Sequence, residues 1–315
     1  MNSPFNISRR NLLRQAALIS AGGILAPTAS AIPQAFSRSG DSKLRLALAA
    51  YSFGKYFAYT KDRKNAPVPA DQQMDMQKFI RFCAASGVDG AELTSYYFNP
   101  QDQDQDFLAC RHLAHISGVS VSGTAIGNNF SHPKGSEERE KQMAYTRQWI
   151  DRAALMGAPH IRVFAGIPPK GVSEEQLETN AIESLEEAAD YAGSKGIFLG
   201  IENHDSISTP ERLLRITKAV KSPWVGINLD TANFRVEDPY AAMVETAPFA
   251  LNVQLKEKFT VGKKRLTTDI PRVMGILRDA GYQGFVVLEY EEKGNPYEEV
   301  PRLLDLMRQE LSVAS

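Results

Sequence analysis

The chain has 315 residues, with 36 Lys+Arg against 37 Asp+Glu for a net charge of −1; it is 43% hydrophobic and 23% charged. A balance this even gives no electrostatic case for nucleic acid or an anionic membrane, and no apolar run reaches the roughly 18 residues of a bilayer span. Two cysteines, Cys83 and Cys110, exclude a disulfide scaffold and a cysteine-rich zinc site.

Residues 1–31 carry Arg9, Arg10 and Arg14 and no acid. The arginine pair precedes a mild apolar stretch from Ala16 to Leu25, and Ala29-Ser30-Ala31 has the small residues of a cleavage site. This arrangement resembles a twin-arginine export signal, which implies a periplasmic or secreted protein that folds before export. The rival readings are an amphipathic N-terminal helix and a general secretory leader with an incidental arginine pair. Cleavage at Ala31 leaves 284 residues with 33 cations against 37 acids. Folding before export gives one reason to expect a metal, because an oxygen-ligand site cannot refuse copper or zinc by affinity alone.

Residues 32–43 read as a linker, and a single domain follows over 44–312. Short apolar runs recur at Leu44–Ala50, Val88–Leu93, Val119–Ile126, His160–Ala165, Ile197–Ile201, Val225–Leu229, Leu251–Leu255 and Phe285–Leu288. Nearly continuous apolarity suits parallel strands covered on both faces. Helical patterns lie between them, such as Ser173–Ser194 and Thr209–Val220. Thr209 reads as an N-cap with Pro210 in the first helical position. Gly87, Gly118, Gly157, Gly196 and Gly281 each sit where a helix ends in the left-handed conformation. Eight such units predict a (β/α)8 TIM barrel, an α/β fold. The doubly wound sheet is disfavoured, because Ala50-Tyr51-Ser52-Phe53-Gly54 is no phosphate-binding glycine fingerprint. Cys83 and Cys110 fall in the first two helices as buried small residues, although an oxidising compartment leaves a bridge open. The long segment from Phe53 to Ala70 reads as an extended first loop, whose Tyr56, Phe57 and Tyr59 either cover the mouth or form its own core.

Barrel chemistry sits where strands end. Strand two ends in Ala91-Glu92-Leu93, strand four in Arg162-Val163-Phe164-Ala165-Gly166, and strand five in Glu202-Asn203-His204. Strand six yields Asp230-Thr231-Ala232-Asn233, strand seven Gln254-Leu255-Lys256, and strand eight Glu289-Tyr290-Glu291. Charged and amide groups inside apolar strands are rare unless paired or bound to metal. Glu202, Asp230, Gln254 and Glu289 pointing into one mouth make an all-oxygen site whose three carboxylates repel without a cation. Such ligation suits Mn²⁺ first, with Mg²⁺ or Co²⁺ as substitutes. The alternative is an ion-pair network with Arg162, Lys256 and Lys258.

Ile201-Glu202-Asn203-His204, Leu229-Asp230-Thr231-Ala232-Asn233, Gln254-Leu255-Lys256 and Leu288-Glu289-Tyr290 resemble successive motifs of the xylose isomerase-like TIM barrels. That resemblance implies a sugar isomerase or epimerase with one divalent metal held from strands five to eight. Glu202 and Glu289 would then be both ligands and proton-transfer groups, and Asp230 a ligand. Two positions depart from the family pattern. Gln254 stands where His is common, and Asn233 stands where a second His is found, so weaker metal binding is expected. The implied reaction removes an α-proton to give an enediolate and returns it on the other face. Expulsion of a β-leaving group from the same intermediate would make the enzyme a lyase of 3-keto-glycosides.

His204 is a candidate acid for a leaving oxygen, and Lys256 a candidate stabiliser of the enediolate. Glu92, Arg162, Asn233 and Tyr51 are candidate substrate contacts. Lys263-Lys264-Arg265 reads as a solvated charge run or a phosphate cradle. A periplasmic setting favours a free sugar or glycoside as substrate, with no nucleic-acid or membrane partner for the mature chain. The sequence leaves homo-oligomerisation open. A non-catalytic sugar-binding barrel is the remaining rival. A nuclease of the related endonuclease barrel ranks low, because only His204 of five His lies near the motifs.

Overall fold

The computed structural model describes residues 35–62 and 64–312. The expected export signal (1–31) and residues 32–34 of the expected linker lie outside the described residues. Eight parallel strands close a barrel: β1 (Lys43–Ala49), β2 (Gly90–Glu92), β3 (Ser120–Ala125), β4 (His160–Val163), β5 (Phe198–Glu202), β6 (Val225–Asp230), β7 (Ala250–Leu255) and β10 (Gln283–Leu288). β1 pairs with both β2 and β10, which seals the ring. The TIM barrel expected from the sequence is therefore the fold.

Helices α1 (Met76–Ala85), α2 (Asp104–Ile116), α3 (Glu137–Met156), α4 (Glu174–Ser194), α5 (Pro210–Ala219), α6 (Pro239–Thr246), α7 (Ile270–Asp279) and α8 (Pro296–Ser312) surround it. The Thr209 side chain accepts from the Arg212 backbone N–H and Pro210 opens α5, as the sequence indicates. The Ser173 side chain caps α4 on the Gln176 backbone N–H. Gly87, Gly118, Gly157, Gly196 and Gly281 all take positive φ, between 63° and 75°, where a Cβ would be strained. Each lets the chain leave a helix and enter a strand within a few residues.

Strand limits differ in detail. The first strand stops at Ala49, and Ala50–Tyr56 winds into a 3-10 turn. β2 is only three residues long, with a register irregularity against β3 between Ala91 and Glu92. A feature absent from the sequence reading is an antiparallel hairpin, β8 (Lys258–Val261) and β9 (Lys264–Thr267). It carries Lys263-Lys264-Arg265, and Arg265 pairs with Glu292 in the loop after β10.

The first loop's Phe53, Tyr56 and Phe57 join the main hydrophobic core instead of forming a separate one. Phe53 lies edge-on to Phe82 at 4.9 Å and to Tyr297 at 5.0 Å, and Tyr56 meets Tyr297 at 5.2 Å. Cys83 and Cys110 are both buried and unbridged. At the opposite end of the barrel from the mouth, His160 packs so closely against β3 that a Cβ at Gly123 would fall 2.1 Å from its ring. Among the described residues no helix is long and apolar enough to cross a membrane.

Candidate active site at the barrel mouth

The C-terminal strand ends bring Glu92, Arg162, Glu202, Asp230, Gln254, Lys256 and Glu289 together, each less than a tenth exposed. Alternation explains the convergence. Residues two apart on a strand share a face, so Gln254 and Lys256 both face inward, as do Asn228 and Asp230.

Two layers can be distinguished. The lower one is a ring of hydrogen bonds. Gln254 Nε2 donates to Glu92 Oε1 at 2.8 Å, and Asn228 Nδ2 donates to Gln254 Oε1 at 2.7 Å. Asn252 Nδ2 closes the ring, with 2.8 Å to Asn228 Oδ1 and 3.2 Å to Glu92 Oε2. Glu92 is wholly buried, and desolvation pushes its pKa up to about 7 despite the charge of Arg162 and the Gln254 amide. Glu92, expected as a substrate contact, accepts from the amides of Gln254 and Asn252. The ring residues Asn228 and Asn252 were not singled out from sequence. Their only signal was an amide embedded in an apolar strand.

The upper layer holds the other carboxylates. Glu202 Oε2 lies 2.8 Å from Arg162 Nε, and its Oε1 accepts from Asn233 Nδ2 at 2.8 Å. The Arg162 guanidinium also donates to the Ile126 carbonyl at 2.8 Å and lies 4.0 Å over the Phe164 ring. Burial works against its charge, but Tyr96 and Glu202 raise its pKa further. Asn233 and Arg162 therefore orient Glu202, and Asn203 braces the next strand through the Asp230 backbone.

Lys256 Nζ lies 2.9 Å from Asp230 Oδ2 and 3.1 Å from Glu291 Oε2. Glu257, its neighbour in sequence, pairs instead with Arg302. Burial disfavours the ammonium, yet Asp230, Glu289, Glu291 and Glu202 together raise its pKa well above the ordinary value. Burial drives the Glu289 pKa well up, and Glu291, Asp230 and Glu92 add to the rise against Lys256. The Glu202 pKa is also raised by burial, with Arg162 opposing and Asp230 reinforcing.

His204 is half-exposed at the rim, its Nδ1 3.0 Å from Asp205 Oδ1 and its ring 4.6 Å from Phe164. Tyr51 touches the rings of Tyr96 and Tyr97 and lines a cavity of about 410 Å³ that continues past Tyr290 and Glu291.

Among the described residues no three His, Cys, Asp or Glu side chains already close into a metal cage. The donor chemistry nevertheless suits a hard divalent ion. Asp230 Oδ2 is buried with the Lys256 ammonium beside it and no hydrogen bond among the described residues, and Glu202, Asp230 and Glu289 are three buried carboxylates in one mouth. The Gln254 carbonyl keeps a second lone pair beside the one that Asn228 uses.

A family model described as xylose isomerase-like TIM barrel matches residues 80–310. A protein of Mus musculus named "Putative hydroxypyruvate isomerase" is 24% identical over 194 residues, 53% of this chain and 70% of that protein. D-psicose 3-epimerase with D-tagatose, from Clostridium cellulolyticum H10, superposes with a TM-score of 0.68 at 17% identity, over 85% of this chain and 99% of that one. A xylose isomerase-like TIM barrel protein from Mycobacterium smegmatis in complex with magnesium gives 0.64 at 19% identity, over 86% and 97%.

Proposed function

Because the chain belongs to the xylose isomerase-like TIM barrel family, we propose that it is a metal-dependent isomerase or epimerase of a free sugar or sugar derivative. One observation carries this reading. Glu202 at the end of β5 and Glu289 just past the end of β10 are buried carboxylates three strands apart around an eight-strand ring, so they face a bound molecule from different sides.

A substrate carbonyl and its neighbouring hydroxyl would lie between them. Glu202, fixed by Arg162 and Asn233, removes the proton on the α-carbon. Glu289 returns a proton on the opposing face, which inverts the centre or moves the carbonyl by one carbon. Lys256 and Arg162 supply positive charge while an enediolate forms. Glu202, Asp230, Gln254 and Glu289 would hold the divalent ion, Mn²⁺ in the first instance, which when bound polarises the substrate oxygens. The arginine-bearing leader supports placing the reaction outside the cytoplasm.

The cavity beyond Tyr51 and Tyr290 favours a second reading, in which a β-leaving group lies there and is expelled from the same intermediate. Incubation with ketoses and 3-keto-glycosides in D₂O, in the presence of Mn²⁺, tests both by proton NMR. Deuterium at an α-carbon of intact sugar, lost in Glu289→Gln, supports the isomerase. Released aglycone supports the lyase. Sugar binding with neither outcome would leave only a binding barrel.

A further inference from the structure

The cation placed where the family resemblance puts a metal is a lysine. Lys256 is less than a tenth exposed. Its Nζ bridges Asp230 Oδ2 at 2.9 Å and Glu291 Oε2 at 3.1 Å. Asp230 is one of the four oxygen donors of the metal-bearing reading, whereas Glu291 stands outside that set, on the rim and partly exposed. The contact with Asp230 is an ionic approach and not a directed hydrogen bond, since Oδ2 is without a hydrogen-bond partner. Such a contact can be exchanged for another cation with little geometric loss.

We propose that Lys256 is the resident cation of this site: it holds Asp230 and Glu291 together in the metal-free protein and sets how tightly a divalent ion binds. The inference rests on the metal-bearing reading above. Charge counting supports it. At the contacts seen, three carboxylates (Glu202, Asp230 and Glu291) share two cations, Arg162 and Lys256, so the mouth is short of positive charge even with the lysine in place. A divalent ion is therefore accommodated without expelling the ammonium from the mouth. Lys256 keeps Glu291 and yields Asp230. The cost is repulsion between two cations in a buried pocket, which makes ion binding weaker than the carboxylate count implies.

Titration of the folded, full-length protein with MnCl₂ by calorimetry tests this directly. Lys256→Met keeps the length of the side chain and removes its charge. It should bind Mn²⁺ about tenfold or more tighter than wild type. Its metal-free form should melt lower, with Mn²⁺ restoring the loss. Should metal-free Lys256→Met fail to fold, Glu291→Gln carries the titration. It deprives Lys256 of its second partner, leaves it on Asp230, and should weaken Mn²⁺ binding. Equal affinity in wild type and variants, or weaker binding in Lys256→Met, would overturn the proposal and leave the metal reading standing. Folded wild type and Lys256→Met that both take up no ion would overturn the metal reading itself, and this proposal with it.

Discussion

Gln254 Nε2 donates to Glu92 Oε1 at 2.8 Å, a hydrogen bond that crosses the barrel from β7 to β2. These strands are three places apart around the ring, and the bond is one side of the amide–carboxylate circuit under the mouth. The circuit fixes Gln254 with its amide nitrogen on Glu92 and its carbonyl oxygen on Asn228.

Glu92→Gln should therefore destabilise the protein although it is nearly isosteric. Two amide donors, from Gln254 and Asn252, converge on the carboxylate, and a glutamine offers them only one oxygen. A buried donor left unmatched costs about 1–3 kcal/mol. Urea unfolding at pH 7 measures it, and an unchanged midpoint would show that the circuit does not hold the floor of the site.

Arg162→Met should be more severe. It strips the guanidinium from Glu202 in a pocket where both side chains are about one-twentieth exposed or less. Removing one partner of a buried ion pair costs about 3–5 kcal/mol. Glu202 should then hold its proton to higher pH, and α-proton exchange should collapse. Exchange at the wild-type rate in a folded Arg162→Met protein would remove the arginine from the orienting role.

His160 predicts a pH dependence of stability at the far end of the barrel. Burial lowers its pKa from 6.5 to about 4, with the Ser122 backbone opposing. The unfolded chain binds the extra proton first as pH falls. The contribution is complete above about pH 6.5, declines between the two values, and is gone below about pH 4. Its size is on the order of 3 kcal/mol. In denaturation series from pH 7 to 4.5, wild type should lose stability faster than His160→Gln; parallel losses would refute the assignment.

The twin-arginine reading of residues 1–31 makes a separate prediction. Arg9→Lys combined with Arg10→Lys keeps the charge and removes the paired guanidinium groups that a twin-arginine pathway reads. The full-length protein should then accumulate in the cytoplasm instead of the periplasm, as cell fractionation would show. Undiminished export would favour a general secretory leader.

Much of the architecture was legible because it is written in local terms. A glycine at a left-handed position, a Thr-Pro helix start and short apolar strands each act over a few residues, and the barrel follows from their repetition. Local signals were weaker where two outcomes shared one composition. Phe53 and Tyr56 could as well have lined the mouth as packed on Phe82 and Tyr297, and no neighbouring residue distinguishes these. The Lys258–Thr267 hairpin was hidden for a similar reason, since a charged, exposed ribbon has the composition of a loop.

At the mouth the division is sharper. Strand alternation and position told from sequence that Glu92, Glu202, Asp230, Gln254 and Glu289 would face inward at one end. Which cation meets which acid was decided only by closure of the ring, which sets Arg162 on Glu202, Lys256 on Asp230 and Glu291, and Glu92 beneath Gln254. Electrostatic and hydrogen-bond energies depend on distances between strands far apart in the chain. The order of residues along one strand does not contain those distances.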